Sequence, residues 1–402
     1  MSSTVVPFDA RSAPAASQPL DPAALERLRA QLASGAAALD RDAAFPFENL
    51  AAVHEAGLVA AVVPRAAGGL GANLAGPARI IAALAQGEPS TALILVMTYM
   101  VHRGTVRADS QWPKNLRARV WQSAVEEGAL ANALRVEPEL GSPARGGLPE
   151  TLARRRGSGW SLSGHKLYTT GIAALRWLLV WGRTDEAEPR VGFFLVPRAA
   201  LERARSYRIV ESWNHLGLRA SGSHELVFED VRLPAEHAVD VRRAAQWAGG
   251  PDADQSAWMI ALLATLYDSI ARAARDWLVG FLAGRRPTSL GAPLATLPRV
   301  QQTVGEIEAL LWANRVLIDG LIQSTDRGEP PRPSDAGLVK INVTRNAIRA
   351  VDLALQLSGN HGLTRLNPLE RHWRDVQCSR IHTPQDDSIL LGAGLAALNL
   401  GR

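Results

Sequence analysis

Three stretches of this 402-residue chain gather side chains that can bind an anion or move a proton. Val136-Glu137-Pro138-Glu139-Leu140-Gly141-Ser142 ends in a glycine that permits close backbone approach and in N–H groups that can cradle an anion. Gly164-His165-Lys166-Leu167-Tyr168-Thr169-Thr170-Gly171 sets two hydroxyls beside a glycine. The third stretch runs from Arg374-Asp375 to His382, an imidazole able to take or give a proton near neutral pH. His102, at the end of an apolar helix-like run, is a further candidate, although a lone histidine on a helix is as readily structural. His361 and His372 with Asp375 lack metal-ligand spacing, so no metal site is read.

These residues need two kinds of scaffold. Residues 19–130 read as a helical domain. Asp21-Pro22 opens a helix with a capping residue and a proline, and Leu25, Leu28, Leu32 and Ala36 recur at helical spacing. Phe47 to Ala56 continues in the same style and stops at Gly57; Gly76–Gly87 and Ser90–His102 are two more helices. Residues 131–245 change character. The β-rich runs Trp160–Leu162, Trp177–Trp181, Val191–Val196 and Glu225–Phe228, parted by turn residues, predict a small antiparallel β domain. Residues 246–402 return to helical periodicity. Ala257–Leu282, Val300–Asp326, Ala336–Gly359 and Ser388–Leu400 predict a four-helix bundle. Residues 1–18 read as a flexible tail. The fold class is therefore α+β.

Composition narrows the function. Hydrophobic residues make up 47% and charged residues 21%, which is ordinary for a globular protein. The formal charge is +5, but the basic residues are interspersed with acidic ones and form no stripe, so a nucleic-acid partner is not expected. A single cysteine, Cys378, excludes an internal disulfide framework and points to a reducing compartment. The N-terminus lacks a basic start followed by an apolar core, and the most apolar run, Thr91–Val101, is too short to span a bilayer. The expectation is a cytoplasmic protein without a membrane partner.

From about residue 20 to the end, the motifs and their order resemble the acyl-CoA dehydrogenase superfamily. The carrying segments are the Val136–Ser142 run, the Gly164–Gly171 run, Gly217-Leu218-Arg219-Ala220-Ser221-Gly222-Ser223 leading to Leu233-Pro234, and Gln356-Leu357-Ser358-Gly359-Asn360-His361-Gly362 followed by Arg374-Asp375. The resemblance implies the fold of that family, with FAD or FMN as cofactor. Val136, Gly141, Ser142, Thr169 and Thr170 would hold the flavin ring and pyrophosphate. Gln356, Gly359 and Asn360, with Arg285 or Arg286 and Gln301, would hold the adenine half, often across a subunit interface, so a homotetramer is implied. The Gly217–Ser223 segment is assigned a structural role.

The same resemblance frames the reaction. A dehydrogenase of the family needs a carboxylate base, usually a Glu eight residues past the Asp of the Arg-Asp pair; here that position is Thr383. The other known position registers near Met259, with no Glu between Ala253 and Arg275. Next to Thr383 stands His382. In the dibenzothiophene and hydroxyphenylacetate type hydroxylases of this fold, a His from this loop points at the flavin, and a second His resembles His102. Thr170-Gly171 also follows the hydroxylase pattern. The favoured reading is a two-component monooxygenase: a flavin reductase supplies reduced flavin, O2 adds to give a C4a-hydroperoxyflavin, and a small organic substrate is oxygenated. His382, His102 and Thr170 would carry the chemistry. The alternative is a dehydrogenase acting on acyl-CoA with Asp268, Asp386 or Asp387 as a non-standard base. A remote alternative is a non-catalytic binding module.

Overall fold

A computed structural model describes residues 21–141, 147–247 and 252–400. Ser142 and the expected tail over residues 1–18 lie outside them.

The N-terminal domain begins with α1 (Pro22–Asp42), whose first turn is capped by the Asp21 carboxylate accepting from Ala23 and Ala24 N–H. Leu25, Leu28, Leu32 and Ala36 form its buried stripe. After α2 (Phe47–Glu55) come α3 (Ala75–Gly87), α4 (Pro89–Val106) and α5 (Lys114–Glu126). The Glu88 carboxylate caps α4 through Ser90 and Thr91 N–H. Helix α4 is buried on most sides, because it runs between the β domain and the bundle.

The central sheet has eight strands: β1 (Leu130–Leu134), β2 (Leu152–Arg156), β3 (Gly159–Lys166), β4 (Leu175–Thr184), β5 (Arg190–Pro197), β6 (Tyr207–Val210), β7 (Glu225–Pro234) and β8 (Ala238–Arg243). Their order is β6-β7-β3-β2-β4-β5-β8, with β1 beside β4. A short helix, α6 (Arg198–Ala204), links β5 to β6. The expected antiparallel domain is corrected in one respect: β1 and β2 both lie parallel to β4. Parallel neighbours require a crossover. Here the chain leaves β1 through the Val136–Gly141 segment and returns through β2 and β3.

The bundle is built on α7 (Ala253–Gly284), α8 (Pro298–Asp326) and α9 (Pro333–Ser358), which pack on one another. The short α10 (Asn360–Leu363) leads to α11 (Leu369–Gln377), which docks on α7 and α9. The expected fourth helix is also corrected. α12 (Asp386–Ala397) packs on α9 and buries Ile389, while Leu390 and Leu391 are exposed, so α11 fills the place beside α7. A helix apolar on every face with two glycines has no single stripe to bury. Among the described residues no helix is long and apolar enough to cross a membrane.

Helices α3 and α4 both pack on α7, which ties the first domain to the bundle. A second tie is Arg374 on α11. It donates to Asp40 at 2.8 Å, to Glu370 at 2.7 Å and to the Leu216 carbonyl at 3.0 Å. Removing one partner of a largely buried charged network strands the others. Arg374→Met is expected to cost about 3 kcal/mol, seen as a lower urea midpoint with an unchanged slope. An unchanged midpoint would show that this junction contributes nothing.

Candidate active site

The segment from Leu167 to Gly171 is stitched to its surroundings almost entirely by backbone. Leu167 N–H donates to Val136 O at 3.0 Å, Thr169 N–H to His224 O at 3.0 Å and Gly171 N–H to Ser221 O at 2.9 Å. Asn132 Nδ2 donates to Thr170 O at 2.9 Å. Gly171 has φ +80°, and a Cβ there would lie 3.2 Å from Ile94 of α4; only glycine lets the helix come this close. The two threonines, expected to act together, have separate fates. The Thr169 hydroxyl donates to His224 O, so it is committed to the backbone. Thr170 Oγ1 lies 2.9 Å from Ser223 Oγ, which lies 2.8 Å from Ser221 Oγ. The Gly217–Ser223 segment, read from sequence as structural, therefore supplies a hydroxyl to Thr170 from Ser223, with that of Ser221 behind it. Its Ser-Gly-Ser spelling beside a Thr-Gly turn was the available signal.

Beneath this wall the two motifs are joined by a buried ion pair. Lys166 Nζ donates to Glu137 Oε1 at 2.6 Å and also to Trp181 O. Glu137 further accepts Glu150 N–H at 2.6 Å and Thr151 N–H at 3.1 Å. Burial pushes Lys166 down to about 8, partly offset by Glu137. Burial also opposes the Glu137 carboxylate, but Lys166 outweighs it and holds its pKa below the ordinary value. The pair is charged at neutral pH. Gly141 closes a turn with Glu137 at φ +64°, and among the described residues nothing comes within 4 Å of a Cβ placed there. The half-buried Gly141 turn and the Thr170 hydroxyl suit a planar cofactor with an anionic tail.

The second candidate group lies in the bundle. Tyr267, fully buried on α7, bonds His382 Nδ1 through its hydroxyl. Burial raises the Tyr267 pKa, with Cys378 and Asp375 adding to it, so the phenol keeps its proton. That proton has no other acceptor among the described residues and goes to Nδ1, which leaves the ring hydrogen of His382 on Nε2. Burial first, then the Lys340 ammonium, push His382 down to about 4, so the imidazole is neutral. Lys340 is buried on α9 and pairs with Asp386 at 3.4 Å.

The acids weighed as replacement bases are engaged elsewhere among the described residues, and buried Asp375, which burial pushes up to about 7, accepts Leu218 N–H at 2.7 Å. Asp268 is bound to Arg272 at 2.6 Å and to Asn314 at 2.9 Å, turned toward α8. Asp386 is held by Lys340 and by Arg345 at 3.2 Å. Asp387 is exposed in the first turn of α12 and accepts Ser388 N–H. Asp254 pairs with Arg103 at 2.7 Å. Thr383 is exposed and Met259 partly buried.

Comparison with known proteins agrees with this architecture. Residues 20–112 match the acyl-CoA dehydrogenase N-terminal domain and residues 262–383 the C-terminal domain. The putative acyl-CoA dehydrogenase YdbM of Bacillus subtilis is 31% identical over 366 residues, spanning 90% of this chain and 93% of that one. The chain belongs to the acyl-CoA dehydrogenase family. It is a flavoprotein oxidoreductase of that superfamily. L-evernosamine nitrososynthase of a Micromonospora species is 29% identical, over 88% of this chain and 84% of that protein. The structure of KijD3 with FMN and a dTDP-amino-keto sugar superposes with a TM-score of 0.81 at 25% identity, over 98% of each chain.

The remaining expected site residues of this acyl-CoA dehydrogenase family member lie on α4 and along the bundle. His102 follows Thr98 by four residues and Tyr99 by three, so it shares their face of α4. Those two bond Ala131 O and Leu58 O. His102 is also eight residues, about 12 Å, past Ile94. It is fully buried with neither ring nitrogen partnered. His372, on α11, is likewise buried with Nδ1 unpartnered. Arg286, Gln301, Gln356, Gly359 and Asn360 are all exposed. They cluster toward the end of the bundle where Phe281 meets His361 at 5.1 Å. Eighteen residues of α7 separate Tyr267 from Arg285, about 27 Å, so one chain does not bring the two groups together.

Burial holds His102 down to about 4, from an ordinary 6.5. The unfolded chain binds that proton below 6.5 and the folded chain only near 4, so stability is lost as pH falls through this window. His102→Leu removes the loss. Relative to the parent, the variant is expected to gain roughly 2 kcal/mol between pH 7 and pH 5 in urea unfolding. A pH-independent difference would contradict the buried neutral imidazole.

Proposed function

We propose that this protein is a flavin-dependent monooxygenase. FMN or FAD, reduced by a separate reductase, would supply the two electrons. In the overall reaction, substrate, O2 and reduced flavin give hydroxylated substrate, water and oxidised flavin. The observation that carries this reading is the neutral His382 held by Tyr267, with Thr383 standing where the family's dehydrogenases keep their carboxylate. An imidazole with its hydrogen on Nε2 can donate to a developing oxyanion, and by tautomer exchange it can take a substrate proton. An ionised carboxylate can only accept.

The remaining residues suit that task. Thr170 offers a hydroxyl from the β domain. On α4, Ile94 faces Gly171, and the partly buried Met97 lies one turn further on. This apolar wall suits a small organic substrate and keeps bulk water from the reacting atoms. The resemblance to L-evernosamine nitrososynthase supports oxygen chemistry on a compact polar substrate. The exposed adenine-side residues support a homotetramer, in which a second subunit completes the cofactor site. The single, part-buried Cys378 supports a cytoplasmic location.

A second reading, dehydrogenation of an acyl-CoA, has the 31% identity to YdbM in its favour. Anaerobic mixing of the oxidised holoprotein with acyl-CoAs from C4 to C16 is expected to leave the flavin spectrum unchanged. Bleaching by any of them would restore the dehydrogenase. His382→Ala is expected to lower oxygenated product by ~100-fold or more while flavin binding is retained. Unchanged product would remove His382 from the mechanism.

A further inference from the structure

Three hydroxyls lie in a row at the site, and their protons can be counted. Thr170 Oγ1 is 2.9 Å from Ser223 Oγ, and Ser223 Oγ is 2.8 Å from Ser221 Oγ. Ser221 is fully buried, Ser223 nearly so, and Thr170 is the most open of the three at 8%. Each hydroxyl has one proton to give. Two protons fill the two bonds, so one remains.

Where the remaining proton sits depends on the direction of the row. If Thr170 donated inward, the free proton would be on Ser221. No carbonyl or carboxylate accepts from Ser221 among the described residues, so a buried donor would go unmade. If both neighbours donated to Ser223, its own proton would be stranded in the same way. Donation from Ser221 to Ser223 to Thr170 leaves the free proton on Thr170, the one hydroxyl that opens on the site. A buried unmade donor is the costly arrangement, so the outward direction wins. Each donation in the row also polarises the next hydroxyl and strengthens its final donor.

The backbone holds this arrangement in place. Gly171 N–H bonds Ser221 O at 2.9 Å and Thr169 N–H bonds His224 O at 3.0 Å, so the turns carrying Thr170 and the serines cannot slide apart. Asn132 fixes the Thr170 carbonyl from β1.

We propose that Ser223 and Ser221 are positioning residues that fix Thr170 as an outward hydrogen-bond donor to the flavin. The proposal rests on the reading of this cleft as the flavin site. A lone threonine hydroxyl rotates freely between donating and accepting; with Ser223 donating to it, Thr170 presents its proton to the cofactor.

The test is a double-mutant cycle on the holoprotein reconstituted with FMN. Readouts are the visible absorption band of bound oxidised FMN, its Kd, and the time course of reoxidation by O2. Thr170→Val and Ser223→Ala are expected to shift the band in the same direction and weaken FMN binding several-fold. The double variant should match Thr170→Val alone, because the serines act only through Thr170. Ser221→Ala, which leaves the Ser223–Thr170 bond in place, should give a smaller shift of the same sign and keeps the test open if Ser223→Ala fails to fold. A Ser223→Ala protein with the parent's band and Kd, a Thr170→Val protein that binds FMN as the parent does, or effects that add in the double variant would overturn the proposal. If the parent shows no delay in reoxidation, the monooxygenase reading fails, while the band and Kd still decide the hydroxyl row.

Discussion

The site depends on helix α7 and on the 100° turn between its neighbouring residues 267 and 268. Tyr267 points to the His382 loop and Asp268 points to Asn314 on α8. The second contact sets α7 against α8 and α9, since Asn314 also reaches Val343 O and Asn346. The first then holds His382 by its Nδ1. A shift of α7 by one residue in one direction would place Asp268 against the imidazole and Ser269 in the polar network; in the other it would place Leu266 against the imidazole and Tyr267 in that network. Burial of the apolar stretch Ala261–Ala264 resists such a shift.

The site has two walls with different logic. The β wall is made mostly of backbone: turns with positive φ at Gly141 and Gly171, tied by N–H to carbonyl bonds. Such a surface recognises a cofactor and is indifferent to the reaction carried out. The bundle wall is made of side chains, and there the family's chemistry can change. On the proposed reading a neutral imidazole stands beside the position where the family's dehydrogenases keep a carboxylate, the strong acceptor that proton removal beside a thioester requires. The imidazole can both donate and accept.

The β wall was legible in the sequence because glycine turns and a Glu-Pro or Gly-x-Lys spelling reflect backbone demands that few residues meet. The long helices were legible from periodicity, as with Leu25 to Ala36. Tyr267 was not, because it stands among continuous buried positions of α7, where period alone cannot tell a proton donor from packing. The surroundings of His102 were hidden for a related reason. Its residue type suits catalysis, but its helical phase turns it to the Thr98 face of α4, and only the positions of Ala131 and Leu58 reveal which face that is. The parallel pairing of β1 with β4 depends on a contact across some forty residues, which local propensity does not encode. Strand β2, spelled Leu-Ala-Arg-Arg-Arg, escaped notice because its exposed face is charged.

The central claim is that the protein directs reduced flavin toward oxygen transfer. Stopped-flow absorbance of the anaerobically reduced FMN complex, mixed with oxygenated buffer in the absence of substrate, tests it most directly. The account predicts a return to the oxidised spectrum in two phases, the second delayed well beyond the reoxidation of free reduced FMN. A single-phase return at the rate of the free cofactor would contradict it.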